Sequence, residues 1–346
     1  MLTKTADTQI RTAIETVFNV QSGESNLHRF DSEILNRELL HYWPLSRVER
    51  LTFRSAQLPN VIFKSALPPL LNEATLYSRL FAQDARWTPT FYGEITMGEQ
   101  VWMFFEDLGT RTLRSEPTLE NLQRAIILLA SFHVAYSQTA TDGTLTKTVR
   151  LPFFNRAAYS ALAHETLKLT TALSQRGAYP MVDERKLDKL AVIVANYQRV
   201  ADGLVSAPQT LVHGDVKADN IMLKKPTKTA TLRSRLYLID WANASVATGL
   251  LDLVDLVNFG IGCFGPEIML KMLTQYRQAW QVAGGEALPS APLEELFVCA
   301  QVHKKMIMLN WFDRCAIKWI PTGLPAYNQL VASLIEETYD LFVILR

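Results

Sequence analysis

Apolar residues Ile10, Ala13, Ile14, Val17 and Phe18 recur with helical spacing, so an amphipathic helix opens the chain. Residues 21–30 then read as loop. From about residue 34 to 64 the pattern alternates as strands do, with strands at 48–54 and 60–65 joined by 55–59. A helix over about 70–81 follows, then a hairpin of 90–96 and 100–106 across Met97-Gly98. This stretch predicts a small, mostly antiparallel sheet with one helix. Beyond Gly109 the period becomes helical, over 118–136, 155–175 and 184–200. Short β runs interrupt it at 209–212, 221–223 and 236–239, the last two joined by a polar turn over 224–234. Residues 250–346 are again mostly helical, with Pro-rich breaks near 289–292 and 321–325. The expectation is an α+β chain of two lobes, a sheet lobe over 1–107 and a larger helical lobe over 108–346.

The short β runs carry the candidate chemistry. Leu211-Val212-His213-Gly214-Asp215-Val216-Lys217-Ala218-Asp219-Asn220 leads into the run at 221–223, and Ile239-Asp240-Trp241 ends the next. Transfer of a γ-phosphoryl group needs alignment and cancellation of negative charge more than covalent chemistry. Asp215 can take the proton of an attacking hydroxyl. Mg2+ prefers oxygen ligands, and Asn220 offers an amide oxygen and Asp240 a carboxylate. A hairpin brings strand ends together, so Asn220 and Asp240 are expected to share one ion cluster. The competing reading is a plain hairpin with Asp215 and Asp240 as caps.

On these residues the chain resembles the aminoglycoside phosphotransferase and choline kinase superfamily. Its members have a bilobal, protein-kinase-like fold and phosphorylate small-molecule hydroxyls. His213-Gly214-Asp215 to Asn220 matches the catalytic loop of that family, and Ile239-Asp240-Trp241 its metal-binding triplet. The resemblance is strongest over 209–255 and weaker over 48–109. It implies that Lys64 contacts the α- and β-phosphates of ATP while Glu73, on the helix that follows, fixes its ammonium. Lysine suits the task as a compact charge with several donors. Alternation puts Ile62 on the face of Lys64, where it would cover adenine from above. Met222 would cover it from below, and Ile239 joins the same nucleotide set. The passage 102–109 looks like the strand and connector that read adenine, through the Glu106 carbonyl and the Leu108 amide. Lys217, two positions after Asp215, is a candidate to steady the transferring phosphoryl group. The helical insertion over 139–205 is of the kind that shapes the acceptor pocket in that family.

Departures refine the resemblance. Before Lys64 there is one glycine, Gly23, and no Gly-x-Gly-x-x-Gly loop. The corresponding turn is 42–47, with Ser46 as its candidate phosphate contact. No Ala-Pro-Glu follows Asp240, and Gly249-Leu250-Leu251-Asp252 comes almost at once, which disfavours a protein kinase. Asp252 is expected to cap the next helix and hold the backbone of the catalytic loop, and Asp255 to be a surface acid.

Composition narrows the partners. With 35 Lys plus Arg against 34 Asp plus Glu, the net charge of +1 makes no electrostatic case for nucleic acid or an anionic membrane. Cys263, Cys299 and Cys315 form no Cys-x-x-Cys pair, so neither zinc nor a disulfide framework is expected, and a cytoplasmic location is. Lys4, Asp7, Arg11 and Glu15 break up residues 1–20, which leaves no apolar signal core. The apolar helix 125–136 is too short for a bilayer and reads as core, with His133 as a packed core histidine. A monomer or weak homodimer is expected. Trp280, Trp311, Phe312 and Trp319 are candidates to line the acceptor site, although such residues are more often core. Lys304-Lys305 argues against a polycationic acceptor if it faces that site. The reading is an ATP- and Mg2+-dependent phosphotransferase acting on a hydroxyl of a small molecule such as an amino alcohol, sugar or antibiotic. A catalytically silent nucleotide-binding regulator is the alternative.

Overall fold

The computed structural model describes residues 7–22, 33–55, 58–224, 235–286, 288, 292–319 and 324–345. Gly23, most of the expected 21–30 loop, nearly all of the 224–234 turn, and 289–291 and 321–323 of the Pro-rich breaks lie outside the described residues. The chain begins with α1 (Asp7–Ser22), β1 (Ile34–Trp43), β2 (Ser46–Phe53), β3 (Val61–Ala66), α2 (Asn72–Arg79), β4 (Phe91–Met97) and β5 (Gln100–Glu106). Helices α3 (Leu119–Thr141), α4 (Thr144–Thr148), α5 (Arg156–Gln175), α6 (Glu184–Ala195) and α7 (Gln198–Ser206) follow. Four short strands come next: β6 (Gln209–Val212), β7 (Ile221–Lys224), β8 (Arg235–Leu238) and β9 (Ser245–Thr248). The remainder is α8 (Leu250–Phe264), α9 (Ile268–Val282), α10 (Leu293–Trp311), a π-helical turn (Phe312–Ala316), α11 (Ile317–Trp319) and α12 (Leu324–Ile344). Two compact units result: Met1–Ala125 with Lys147–Arg150 and Asp215–Ala244, and Ile126–Thr146 with Leu151–Gly214 and Ser245–Arg346.

The first unit is built on an antiparallel sheet of order β1-β2-β3-β5-β4. Alternation along β2, β3 and β5 turns Leu51, Phe53, Val61, Phe63, Trp102 and Phe104 to one face. The helical stripe Ile10, Ala13, Ile14 and Val17 of α1 packs on that face. Burying each large aliphatic side chain there stabilises by ~1.5–3 kcal/mol. Gly93 of β4 has φ +143, and a Cβ on it would lie 2.8 Å from Val17 Cγ1. The close approach of helix and strand therefore requires glycine at that point. The opposite face carries Ser46, Val48, Arg50, Ile62 and Lys64, set by the pairs Val48↔Lys64 and Arg50↔Ile62. Strands β7 and β8 pair antiparallel in the same unit, Ile221 opposite Leu238.

The second unit is mainly helical, with β6 and β9 as an antiparallel pair. Strand β9 was not expected: Ser245-Val246-Ala247-Thr248 is short, and only its distant partner makes it a strand. The single helix expected over 184–200 is two. Asn196 ends α6 at φ −114, ψ 15, and its side chain folds back to donate to the Val192 carbonyl at 2.8 Å. Asn155 caps α5, accepting from the Ala158 amide at 2.9 Å. No helix among the described residues is long and apolar enough to cross a membrane.

Asp313, in the π-helical turn, is 7% exposed and accepts a hydrogen bond from Thr170 Oγ1 at 2.6 Å. Burial pushes its carboxyl up to about 7, and the hydrogen bonds only partly offset this. The native state thus holds this proton where the unfolded chain, with an Asp value near ~3.9, has lost it. Its contribution to stability is present at acid pH and lost as pH rises through about 7. Asp313→Asn keeps the neutral shape. It should resist urea better than wild type at pH 8, by roughly 1–4 kcal/mol, with the gain shrinking toward pH 5. An equal shift at both pH values would show that Asp313 does not titrate in this range.

Candidate active site

The first unit holds every side chain singled out for nucleotide and metal. Lys64 sits in the middle of β3, 7% exposed, between Val48 of β2 and Met103 of β5. Its Nζ donates to Glu73 Oε2 at 2.5 Å and to Asp240 Oδ1 at 2.7 Å. Glu73 lies in the first turn of α2, where a carboxylate suits the helix dipole, and is 1% exposed. Its other oxygen accepts the Trp241 amide at 3.2 Å. Burial disfavours the charged form of Lys64, but the charges of Asp240 and Glu73 outweigh it and hold the ammonium's value above the ordinary lysine range. Glu73 is pushed up by burial and by Asp240, which shares its cation. A buried cation between two acids is a poised arrangement: an incoming polyphosphate can replace one acid as its partner.

Asp240 follows β8 with φ +67, the one non-glycine residue in the left-handed region among the described residues. A short polar side chain tolerates that conformation, which aims the carboxylate back toward Lys64. The Ile239 amide donates to the Asn220 carbonyl at 3.0 Å and ties the 239–241 triplet to the 213–220 loop. In that loop Asn220, 6% exposed, closes a 3-10 turn over Ala218–Asn220. Its Nδ2 donates to the Asp215 carbonyl at 2.9 Å and to Asp215 Oδ2 at 3.2 Å. With Nδ2 as the donor, the amide oxygen of Asn220 is the atom with lone pairs to offer a cation. Lys217 Nζ lies 2.9 Å from Asp215 Oδ2, with about half of its side chain exposed. Asp215, Lys217 and Asn220 are thus one cluster, and Lys64, Glu73 and Asp240 another, joined through the bond between Ile239 and Asn220. One carboxylate and one amide oxygen suit Mg2+, which takes its remaining ligands from phosphate and water. Among the described residues no group of three or more His, Cys, Asp or Glu is placed to hold a metal ion.

Leu108, Met222 and Tyr237 form a small buried cluster with Ile239 packed against it. Leu108, Met222 and Ile239 belong to the expected nucleotide set, Met222 as the residue below adenine and Leu108 through its amide. The connector is fastened from several sides. Lys224 and Thr90 hold the Glu106 side chain, and the Glu106 amide donates to Thr90 at 2.9 Å. Ile62 shares the face of Lys64, as alternation requires. The expected turn at 42–47 is a tight hairpin through Pro44 and Leu45, with Trp43 opposite Ser46. Ser46, 7% exposed, is two positions from Val48 and on its face, the face of Lys64.

The sequence reading missed Arg50. Its Nε donates to Asp107 Oδ2 at 2.7 Å and its Nη2 to the Gly109 carbonyl at 3.2 Å, bracing the connector from β2. Alternation from Lys64 through the opposed Val48 was the available signal.

In the second unit, Asp252 corrects one expectation and meets another. It does not cap α8, whose N-cap is Gly249, because it already lies in the first helical turn. It does hold the loop backbone, accepting the His213 amide at 2.7 Å and the Gly214 amide at 2.8 Å. His133, fully buried as expected of a core histidine, donates from Nε2 to Asp252 at 3.1 Å, and its Nδ1 is hydrogen-bonded with the Tyr276 hydroxyl at 2.8 Å. Burial opposes the Asp252 charge, yet the His133 bond and neighbouring cations hold its carboxyl below the ordinary range. Asp255 is not a surface acid: its carboxylate lies 2.8 Å from Lys304 Nζ. Lys305 pairs with Glu337. Both lysines are neutralised, so the argument from them against a cationic acceptor loses its basis. Trp280 is core, 2% exposed, with its Nε1 donating to the Glu286 carbonyl at 2.7 Å. Phe312 is buried between Trp311 and Tyr327.

Comparison with curated protein sequences finds no match. Among solved structures the fold is similar to an ethanolamine kinase of Plasmodium vivax, with TM-score 0.59 and 11% identity over 97% of this chain and 92% of that one. It is also similar to a choline kinase from Cryptosporidium parvum, with TM-score 0.58 and 9% identity over 96% and 95%. A third likeness is an amicoumacin kinase in complex with AMP-PNP, Ca2+ and Ami, with TM-score 0.54 and 12% identity over 95% and 96%. At these identities the likeness establishes the fold, α+β and kinase-like, with an antiparallel sheet in the N-terminal part and helices in the C-terminal part. The sequence profile of the phosphotransferase enzyme family matches residues 33–285, nearly three quarters of the molecule, and the chain belongs to that family.

Proposed function

We propose that this chain transfers the γ-phosphoryl group of ATP, with Mg2+, to a hydroxyl of a small molecule. The observation that carries the reading is the shared cation: Lys64 is held between Glu73 and Asp240, and Asp240 is tied to the loop bearing Asp215 and Asn220. Lys64 would hold the α- and β-phosphates, which would replace Asp240 as its partner. Ile62 and Met222, with Leu108 and Ile239, enclose adenine, and the Glu106 carbonyl and Leu108 amide read its edge. Ser46 contributes to the phosphate turn. Asn220 and Asp240 hold Mg2+, which when bound neutralises phosphate charge and aligns the leaving group. Asp215 orients the acceptor hydroxyl and receives its proton as the acceptor oxygen bonds to the γ-phosphorus and the bond from that phosphorus to ADP breaks. Lys217 leaves its pairing with Asp215 to steady the transferring group. The fold's likeness to an amicoumacin kinase bound to AMP-PNP supports a triphosphate donor. Likeness to ethanolamine and choline kinases supports a small hydroxyl acceptor. The silent-regulator reading has no observation in its favour, because Lys64, Asp215, Asn220 and Asp240 are all present.

The test is incubation of pure protein and Mg·ATP with amino alcohols, sugars and antibiotics, followed by mass detection of phosphate gain. Phosphorylation of one class is the expected result. Failure to bind or consume Mg·ATP would overturn the reading.

A further inference from the structure

Gly214 is the residue with the widest backbone freedom between His213 and Asn220. It is a glycine at φ +84, directly before Asp215. Each peptide group is a rigid plane, so the Gly214 Cα is the hinge between two such planes. The plane on its N-terminal side is held by Asp252, which accepts the Gly214 amide at 2.8 Å. The plane on its C-terminal side, which carries the main chain into Asp215, is held by a different group. Lys304 Nζ, from α10, donates to the Gly214 carbonyl at 2.6 Å.

Lys304 is 8% exposed, and its ammonium is paired with Asp255 of α8 at 2.8 Å. Burying such a pair adds little net stability compared with apolar residues of the same volume. A leucine would fill this position in a helix that otherwise buries Leu296, Phe297, Ala300 and Leu309. What the pair supplies instead is direction: a charge-assisted donor fixed at one carbonyl oxygen.

We propose that Lys304 is a positioning residue for phosphoryl transfer. Its ammonium, seated by Asp255, pins the Gly214 carbonyl and so sets the direction in which the main chain presents Asp215. This rests on the reading of Asp215 as the base. Asp252 and Lys304 together stop rotation on both sides of the hinge, and neither touches nucleotide or acceptor in this role.

The experiment uses the full chain as wild type, Lys304→Met, Lys304→Arg, Asp255→Asn and the control Lys305→Met. Two readouts are taken: turnover of Mg·ATP with water or an identified acceptor, and hydrogen–deuterium exchange of backbone amides 213–217. Lys304→Met should lower kcat by ~10–100-fold with KM for ATP changed by less than about threefold. Exchange at 213–217 should rise by roughly tenfold or more in Lys304→Met and rise in Asp255→Asn, with Lys305→Met unchanged. Lys304→Arg should recover part of both, since a merely space-filling role gives arginine no advantage over methionine. Unchanged exchange at 213–217 with kcat like that of the control would overturn the proposal. So would a methionine variant as active as the arginine one. If wild type consumed no ATP, the reading of Asp215 would fall, while the exchange data would still decide whether Lys304 immobilises the loop.

Discussion

Asp215→Asn is expected to lower phosphoryl transfer by ~10²–10⁴-fold with Mg·ATP affinity within about threefold of wild type. An amide has the shape of the carboxylate but cannot take the proton of the acceptor hydroxyl. The substitution should spare the fold. Asn220 still donates to the main-chain carbonyl of residue 215 at 2.9 Å, which the side-chain change does not touch. The lost pairing with Lys217 is half exposed and contributes little stability. Single-turnover kinetics with the acceptor found by screening, together with calorimetric titration of nucleotide, separate the two effects. Full activity in the variant would remove Asp215 from the role of base. A parallel loss of nucleotide affinity would move it to the nucleotide instead.

Lys64→Met should have the second-largest effect, on both stability and nucleotide. Breaking a buried ion pair by removing one partner costs roughly 3–5 kcal/mol, because the charge left behind has lost its compensation. Here two acids are left. Asp240 is partly exposed and reaches water, but Glu73 is 1% exposed and does not. Burial already raises the Glu73 carboxyl, and removal of Lys64 raises it further, so Glu73 takes up a proton. An acid whose native value lies above its unfolded value contributes stability that is lost as pH rises. The deficit of Lys64→Met in urea should therefore be smaller at pH 5 than at pH 8. Adding Glu73→Gln should restore part of the stability at pH 8 without restoring nucleotide binding. A deficit independent of pH, unrelieved by Glu73→Gln, would mean that the buried charge is not its cause.

Residues whose chemistry depends on local spacing were legible in the sequence. Asp215, Lys217 and Asn220 lie within six consecutive positions, and a 3-10 turn brings their side chains together. Asp240 was legible because a hairpin returns it to Asn220. Lys64 and Ile62 share a face because β periodicity is two. Asp255 and Lys304 were not legible, since their partners lie on other helices far along the chain. As a sequence, Asp255 reads as a surface acid, and Lys304-Lys305 as charge that would repel a polycationic acceptor if it faced that site.

The amino-acid pattern by itself determined the α+β class, the amphipathic helix that opens the chain, and the order of Lys64, the 213–220 loop and the 239–241 triplet, because each is a repeat or spacing spanning a few residues. Only the tertiary structure decided that Lys64 shares its charge between Glu73 and Asp240, that β9 is a strand, that Arg50 braces the connector, and that Asp252 and Lys304 grip the two sides of Gly214. The physical reason is common to all four. Hydrogen bonds and ion pairs act over about 3 Å in space, and nothing in a linear pattern states which distant segments come within that reach.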